Sequence, residues 1–558
     1  MTNSIHEIRD ADCIFITGSN TAESHPVISY DVVRANKRGA NIIIVDPRRI
    51  PLVDHATLFL QIKPGTDIYV FLAIMHTIIR EGWLDSAFID ERTEGYEEFQ
   101  AVLEEYTPER ASLLSGVPTD QIVEAARIYA LGERVNGSSI FDKDRGHSMI
   151  LYAMGITQRS NGTDLVMTLA NLAMLCGQVG KPSTGVNPLR GQSNVQGACD
   201  VGCLVNVFPG YQRVTDEPAR EELAKIWGVK NLPDQIGLTI VESMHAAAEG
   251  KVRAVYVMGE NPMMSDPNTT HVEQALRSLD FLLVQDIFPS ETAMLAHVIL
   301  PAAASLEKDG SITNTERRVQ LINPVISQPG KALPDWQITS EIAVHYDIKM
   351  GIERIPEYWS YPSTSAIFNE IAASTPIYQG MSHGRIEGNG LQWPCPDSDH
   401  PGTPILHAGK FSRGLGKFTP VTANDPAETP DDEYPLILST GRVLYHYHSG
   451  TMTRRSEPLA WREPRGYVEI NPEDAVAIDL EDDRAVVIES RRGTVRTRAK
   501  ISNRVPPGTI FLAFHWREAP ANILTQDFAL DPVAKIPEYK ICAVRIENPR
   551  KKRSIPNY

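Results

Sequence analysis

The segment Arg190-Gly191-Gln192-Ser193-Asn194-Val195-Gln196-Gly197-Ala198-Cys199-Asp200 holds the side chains best suited to chemistry. One cation stands among amides and glycines, in a stretch without helical or strand periodicity. Arginine's planar fork of donors matches a carboxylate or a phosphate. The amides add directional donors and acceptors, and the two glycines let backbone approach a ligand. The same residues equally suit a polar loop bracing two domains, so the surrounding elements must decide.

Length and charge limit the setting. The chain has 558 residues, enough for several domains, and a formal net charge of -16 at pH 7. That charge argues against a nucleic-acid or anionic-membrane partner. No run approaches the roughly 20 apolar residues of a membrane span. The cysteines at 13, 176, 199, 203, 395 and 542 form no Cys-x-x-Cys and no disulfide framework, which suits a reducing, cytoplasmic compartment. Thr2 to Glu7 is polar and does not read as a signal peptide.

The first 85 residues alternate between strand and helix. Cys13-Ile14-Phe15-Ile16-Thr17 is a short apolar strand running into Gly18-Ser19-Asn20. Pro26 opens a helix that Lys37-Arg38-Gly39 closes. Residues 41–46 form a second strand ending in Asp46, and Phe59–Ile62 a third. A helix follows, with Thr66 as N-cap and apolar positions at 68, 71, 72, 75, 78 and 79. Strand ends rich in Gly, Asn and Asp suggest a nucleotide-type ligand above the carboxyl edge of a parallel sheet, although no G-x-G-x-x-G is present. An acid at a strand end is also an ordinary turn or cap residue.

The pattern returns between 252 and 303. Val252–Met258 runs into Gly259-Glu260-Asn261-Pro262, Phe281–Val284 into Gln285-Asp286, and His297–Leu300 into Pro301. Residues 376–433 read as irregular surface structure and linker. From Tyr434 the chain becomes β-rich, with strands at 436–440, 485–489 and 494–501. Hairpin turns are expected at Arg491-Arg492-Gly493 and Pro506-Pro507-Gly508. His446 and His448 alternate as on one strand face, and Phe514 suits a barrel core.

With these elements placed, the chain resembles the large catalytic subunit of molybdenum- or tungsten-dependent formate dehydrogenases. Those belong to the wider molybdopterin oxidoreductase (dimethyl-sulfoxide-reductase-like) family. The likeness runs from Met1 to about Glu547. It is carried by residues 18–26, Val45-Asp46-Pro47-Arg48, 154–158, 185–200, Met258-Gly259-Glu260-Asn261-Pro262, 284–288, 440–455 and 540–545. The fold it implies is α/β, with two pseudo-symmetric Rossmann-like domains at 1–192 and 193–428. A C-terminal double-psi-type β-barrel at 429–548 and a tail at 549–558 follow.

The resemblance implies two molybdopterin guanine dinucleotides holding molybdenum or tungsten. Gly18, Asn20, Asp46, Arg48, Gly65 and Asp67 would bind one; Gly259, Asn261, Gln285, Asp286, Lys308 and Asp335 the other. Met154 and Gln158 would line the cofactor. Thr440, Gly441, Arg442, His446, His448, Phe514, Asn522 and Lys540 would close over both pterins. Carboxylates suit guanine, whose N1–H and amino group are donors. Arg190 becomes the catalytic residue that steers the formate carboxylate. Iron–sulfur or flavin subunits become the electron-transfer partners.

The family pattern also implies an N-terminal iron–sulfur cluster domain, then a cysteine or selenocysteine metal ligand followed by histidine. The residues here match from just downstream of that ligand, so no metal ligand is expected within the chain, and Met1 is expected not to be the biological start, with a split or degraded gene as the alternative. Residues 135–147 read as an inserted surface loop. Two other readings compete: a non-catalytic cofactor-binding or assembly scaffold, and a nitrate or other oxyanion reductase. Retention of Arg190 and of the acids favours the formate reading. The chain as numbered, loaded with cofactor, is expected not to oxidise formate with a viologen acceptor; robust turnover in that assay contradicts the reading.

Overall fold

A computed structural model describes residues 1–133, 146–354 and 358–549. Most of the insertion expected at 135–147 lies outside the described residues. The chain divides into two compact units: Met1–Leu189 with Met264–Thr270 and Ile405–Tyr558, and Arg190–Met263 with His271–Pro404. Among the described residues no helix is long and apolar enough to cross a membrane.

The first unit is built on a five-stranded parallel sheet. In spatial order its strands are Leu58–Leu60, Asn41–Val45, Cys13–Thr17, Ser148–Tyr152 and Gly185–Pro188. The inner three are buried at every position, as continuous apolar runs require when both faces are covered. Phe15 and Ile43 face one core, shared with the helices Asp67–Arg80 and Gly162–Leu175; Ile14 and Ile44 face the other, against Pro26–Lys37. The third strand is Leu58–Leu60 rather than 59–62, because its partner ends at Val45. Thr66 does precede its helix but does not cap it: its hydroxyl donates to the Lys63 carbonyl at 2.7 Å.

Residues 405–549 of this unit carry a closed barrel of six strands, ordered Leu436–Gly441, Thr509–Ala513, Val468–Ile470, Thr494–Ile501, Ala485–Glu489 and Cys542–Glu547. Arg491-Arg492-Gly493 joins adjacent antiparallel strands as expected. Pro506-Pro507-Gly508 does not form a hairpin, since Val468–Ile470 lies between the strands it connects. The stretch before the barrel is more than linker. Gly416–Lys417 pairs with Thr93–Glu94, and Phe418 and Val421 are buried in the first core.

Buried ion pairs fasten the barrel to the sheet. Arg48 donates from Nε and Nη2 to the two oxygens of Glu469, each at 2.8 Å, and its guanidinium lies 3.8 Å from the Phe511 ring centroid. Glu469 is 0% and Arg48 6% exposed. Arg159 reaches Asp67 at 2.9 Å and Glu538 at 3.4 Å. Asp531 accepts from the Thr163 amide and hydroxyl, both at 2.7 Å.

The second unit has a smaller parallel sheet, Val298–Pro301, Phe281–Asp286 and Ala254–Met258. Tyr256 and Met258 remain exposed on the last of these strands, while Val257 packs inward. The same unit carries an antiparallel sheet of Gly310–Thr313, Arg318–Ile322 and Leu391–Gln392, and a short pair, Val207–Phe208 with Gln212–Arg213.

Glu469→Leu leaves the Arg48 cation buried without its carboxylate and is expected to cost about 3–5 kcal/mol in urea unfolding. Arg48→Met with Glu469→Leu should recover most of that loss. Arg48 holds the Glu469 carboxyl below its usual range despite burial. This stabilisation is therefore present above the ordinary carboxylate pKa and is lost as pH falls through the depressed one.

Candidate active site

In the first sheet, strand order reverses at Cys13–Thr17, which lies between the second strand and the fourth. Loops leave such a switch point in opposite directions and open a crevice at the carboxyl ends. Gly18 follows one of these strands and the turn of helix Met154–Thr157 the other. Gly18 has φ +54°, and a Cβ there would lie 2.7 Å from the Ile156 nitrogen. The Gly155 amide donates to the Gly18 carbonyl at 2.9 Å, so two backbones cross where side chains cannot fit. This crossing sets Met154 and Gln158 beside the Gly18 loop. Met154 is 38% exposed, and the Gln158 side-chain amide has no partner among the described residues. Asn20 donates to Glu23 at 2.8 Å, while its buried Oδ1 has no partner there.

The acids and Arg48 at the next strand ends are held by protein. Asp46 accepts from the Arg48 amide at 2.9 Å, a turn interaction, and burial pushes its carboxyl up to about 7. Arg48 is committed to Glu469 and Asp67 to Arg159. Gly65, at φ +96°, passes so close to the barrel region that a Cβ would lie 2.6 Å from Pro426.

The barrel contributes a cationic rim. Thr440 donates to the Tyr539 carbonyl at 2.8 Å, and the Lys540 ammonium donates to the Thr440 carbonyl at 2.8 Å. A Cβ on Gly441 would strike the Phe511 ring that carries Arg48. Arg442 lies 5.8 Å from the Phe514 centroid and makes no ion pair among the described residues; neither does Lys540. Burial and the nearby Arg442 charge pull Lys540 down to about 7, with Asp46 opposing them. Two poorly neutralised cations at one rim favour an anion.

His446 and His448 lie in a loop after the strand ends at Gly441, not on a strand face. His446 Nε2 donates to the Glu463 carbonyl at 2.7 Å while Nδ1 accepts from Thr453, and burial lowers its pKa. His448, at φ +47°, sets its ring edge-on to Phe514 at 5.5 Å. Phe514 lies just past its strand and packs on the barrel core. Asn522 donates to the carbonyls of Met264 and Ser265 at 2.8 and 3.0 Å.

In the second unit, Gln285 donates to Asp335 at 2.7 Å and accepts from the Tyr256 hydroxyl; Lys308 pairs with Asp335. Gly259, at φ +63°, donates its amide to the Gln285 carbonyl at 2.8 Å. Asn261 bonds Thr292 and Glu291, and Asp286 accepts from Ile287 and Phe288 as a turn acid does. The structure thus brings Gly259, Gln285, Lys308 and Asp335 together, and gives Asn261 and Asp286 local partners.

Arg190 opens the second unit, its amide donating to Thr315 Oγ1 at 3.0 Å. The segment is not wholly irregular: Val195–Asp200 is a short helix ending on a buried carboxylate. Sequence reasoning missed that carboxylate as a site residue, along with Glu469, Arg159 and His515. Glu469 had a visible signal, an acid inside the apolar Val468–Ile470. His515 is fully buried; its Nε2 accepts from the Val443 amide at 3.0 Å and its Nδ1 donates to the His448 carbonyl. Burial lowers it to about 3, so it stays neutral and braces the loop.

The Molybdopterin oxidoreductase family matches residues 1–345, and the molybdopterin dinucleotide binding domain matches residues 436–543. The chain belongs to the molybdopterin oxidoreductase family. It is 50% identical over 550 residues to the F420-dependent formate dehydrogenase 1 subunit alpha of Methanococcus maripaludis, covering 98% of this chain and 78% of that one. It is 39% identical over 564 residues to formate dehydrogenase H of Escherichia coli, covering 100% and 76%. Acetylene hydratase from Pelobacter acetylenicus shares the fold, with a TM-score of 0.73 at 18% identity over 98% of this chain and 80% of that structure.

The family's cofactor is a molybdenum or tungsten bis-molybdopterin guanine dinucleotide, and the residues present fit it. The unpaired Arg442 and Lys540 suit its anionic groups, and the crossing glycines leave backbone bare at the switch point. An anion seated against Lys540 raises the ammonium's pKa above its free value of about 7. Affinity of the apoprotein for the guanine dinucleotide should therefore fall as pH rises above that value. Calorimetric titration across pH 6–9 checks this, and Lys540→Met should flatten the dependence.

Proposed function

We propose that this chain is the pterin-binding catalytic body of a formate dehydrogenase, whose holoenzyme oxidises formate to carbon dioxide and passes two electrons to a partner. The observation that carries the reading is the Arg190 segment. Its cation sits on a framework held at both ends, by Thr315 and by a buried carboxylate, within a chain half identical to a formate dehydrogenase alpha subunit.

Formate offers two oxygens and one C–H bond. The Arg190 fork takes both oxygens through charge-assisted hydrogen bonds and so fixes the direction of the C–H bond. The metal centre, when bound, supplies the two-electron acceptor. Lys540 and Arg442 hold anionic parts of the cofactor, with Asp46 as counter-charge. Gln285, Lys308 and Asp335 serve the second dinucleotide, and the crossing of Gly18 with Gly155 sets the bed for the first. Asp46 and Asp67 remain proposed guanine-side acids, with Asp67 oriented by Arg159. Arg48 contributes through the barrel clamp it makes with Glu469.

Electrons leave through iron–sulfur or flavin subunits. All six cysteines are free, which suits a reducing cytoplasm. In the holoenzyme, Arg190→Gln is expected to raise the formate KM by about ten- to a hundredfold, the worth of about 1.5–3 kcal/mol of charge-assisted bonding. Metal and pterin content should not change. An unaltered KM contradicts the anchor.

A further inference from the structure

The Arg190 segment ends on a carboxylate that the reaction itself does not use. Asp200 is 0% exposed and accepts four hydrogen bonds. The Gln196 amide at 2.8 Å and the Tyr211 hydroxyl at 2.7 Å reach Oδ1; the Tyr378 hydroxyl at 2.7 Å and the Trp393 indole N–H at 2.8 Å reach Oδ2. Among the described residues no cation pairs with it, so four neutral donors hold this charge out of water. Tyr211 is held at φ +62°, a conformation uncommon for a tyrosine, where its hydroxyl meets Asp200.

The socket continues back to the arginine. Tyr378 also bonds the Thr313 hydroxyl at 2.7 Å, and the Thr313 amide donates to Asn194 Oδ1 at 2.9 Å. Two residues on, Thr315 accepts from the Arg190 amide. A Cβ on Gly197 would collide with Asn194 Oδ1, so the turn between these anchors admits only glycine without rearrangement. Arg190, Asn194 and Asp200 are thus tied to one rigid edge. An apolar side chain could fill the space of Asp200, but only an acceptor with two oxygens can gather all four donors.

We infer that Asp200 is a positioning residue, whose four-donor socket fixes the helix Val195–Asp200 and through it the placement of Arg190 for the substrate carboxylate. This inference rests on the reading of Arg190 as the formate anchor. Asp200→Asn keeps the shape but turns one oxygen into an amide nitrogen, which cannot accept from the Trp393 indole, or from the donors on the other side if rotated.

A double-mutant cycle in the complete holoenzyme tests it, with formate KM and kcat read separately. Asp200→Asn should raise the KM about tenfold while kcat changes by less than about threefold. In an Arg190→Gln background the same change should add less than about twofold, because the anchor it positions is already gone. Tyr211→Phe, which keeps the carboxylate and three donors, should fall between parent and Asp200→Asn. It carries the cycle if Asp200→Asn does not accumulate folded. Effects that multiply in the Arg190→Gln background, or an unchanged KM in both variants, overturn the inference and leave the anchor standing. Should Arg190→Gln itself leave the KM unchanged, the anchor falls and the positioning role with it.

Discussion

A guanidinium and a carboxylate sealed from water on the same spot hold this molecule's first unit together. Arg48 comes from the turn after the second strand of the sheet, and Glu469 from the interior of a barrel strand more than four hundred residues later. Neither charge would survive burial alone, since desolvating one ion without its partner costs several kcal/mol. Their bidentate geometry and the Phe511 ring beneath the arginine define how the sheet's carboxyl edge meets the barrel. Arg159 with Asp67 and Glu538 repeats the device. Such pairs contribute little net stability compared with an apolar seam, but they permit one registration, which a multi-part ligand site requires.

The cationic rim depends on that registration. Lys540 and Arg442 lie where the barrel strands end, and Asp46 lies where a sheet strand ends, yet their charges perturb one another. The glycine crossing at residues 18 and 155 clears the switch point, while the neutral, buried His515 steadies the loop that carries His448. The groups proposed to bind therefore come from loops, and rigid elements aim them.

Much of this framework was legible in the residues. The strands Cys13–Thr17, Ala485–Glu489 and Thr494–Ile501 stand as apolar or alternating runs bounded by Gly, Asn or Arg, so local pattern suffices. The repeated Gly-x-Asn strand ends correctly announced a second parallel sheet. Failures cluster where distant partners decide. Helix Val195–Asp200 forms because Asp200 finds donors from residues 211, 378 and 393, none visible in its own sequence window. Pro506-Pro507-Gly508 has hairpin chemistry, but a third strand intervenes. His446 and His448 alternate like strand residues, yet the strand has ended at Gly441 and the backbone turns at His448. Arg48 showed its charge in the sequence but not that Glu469 would claim it.

If each of the two α/β units serves one guanine dinucleotide, a single polypeptide of the holoprotein carries two of them. Counting the guanine nucleotide released by acid hydrolysis from the purified holoprotein, per polypeptide, tests this most directly. Two equivalents are expected. One equivalent, or a nucleotide other than guanine, would contradict the assignment of both sites.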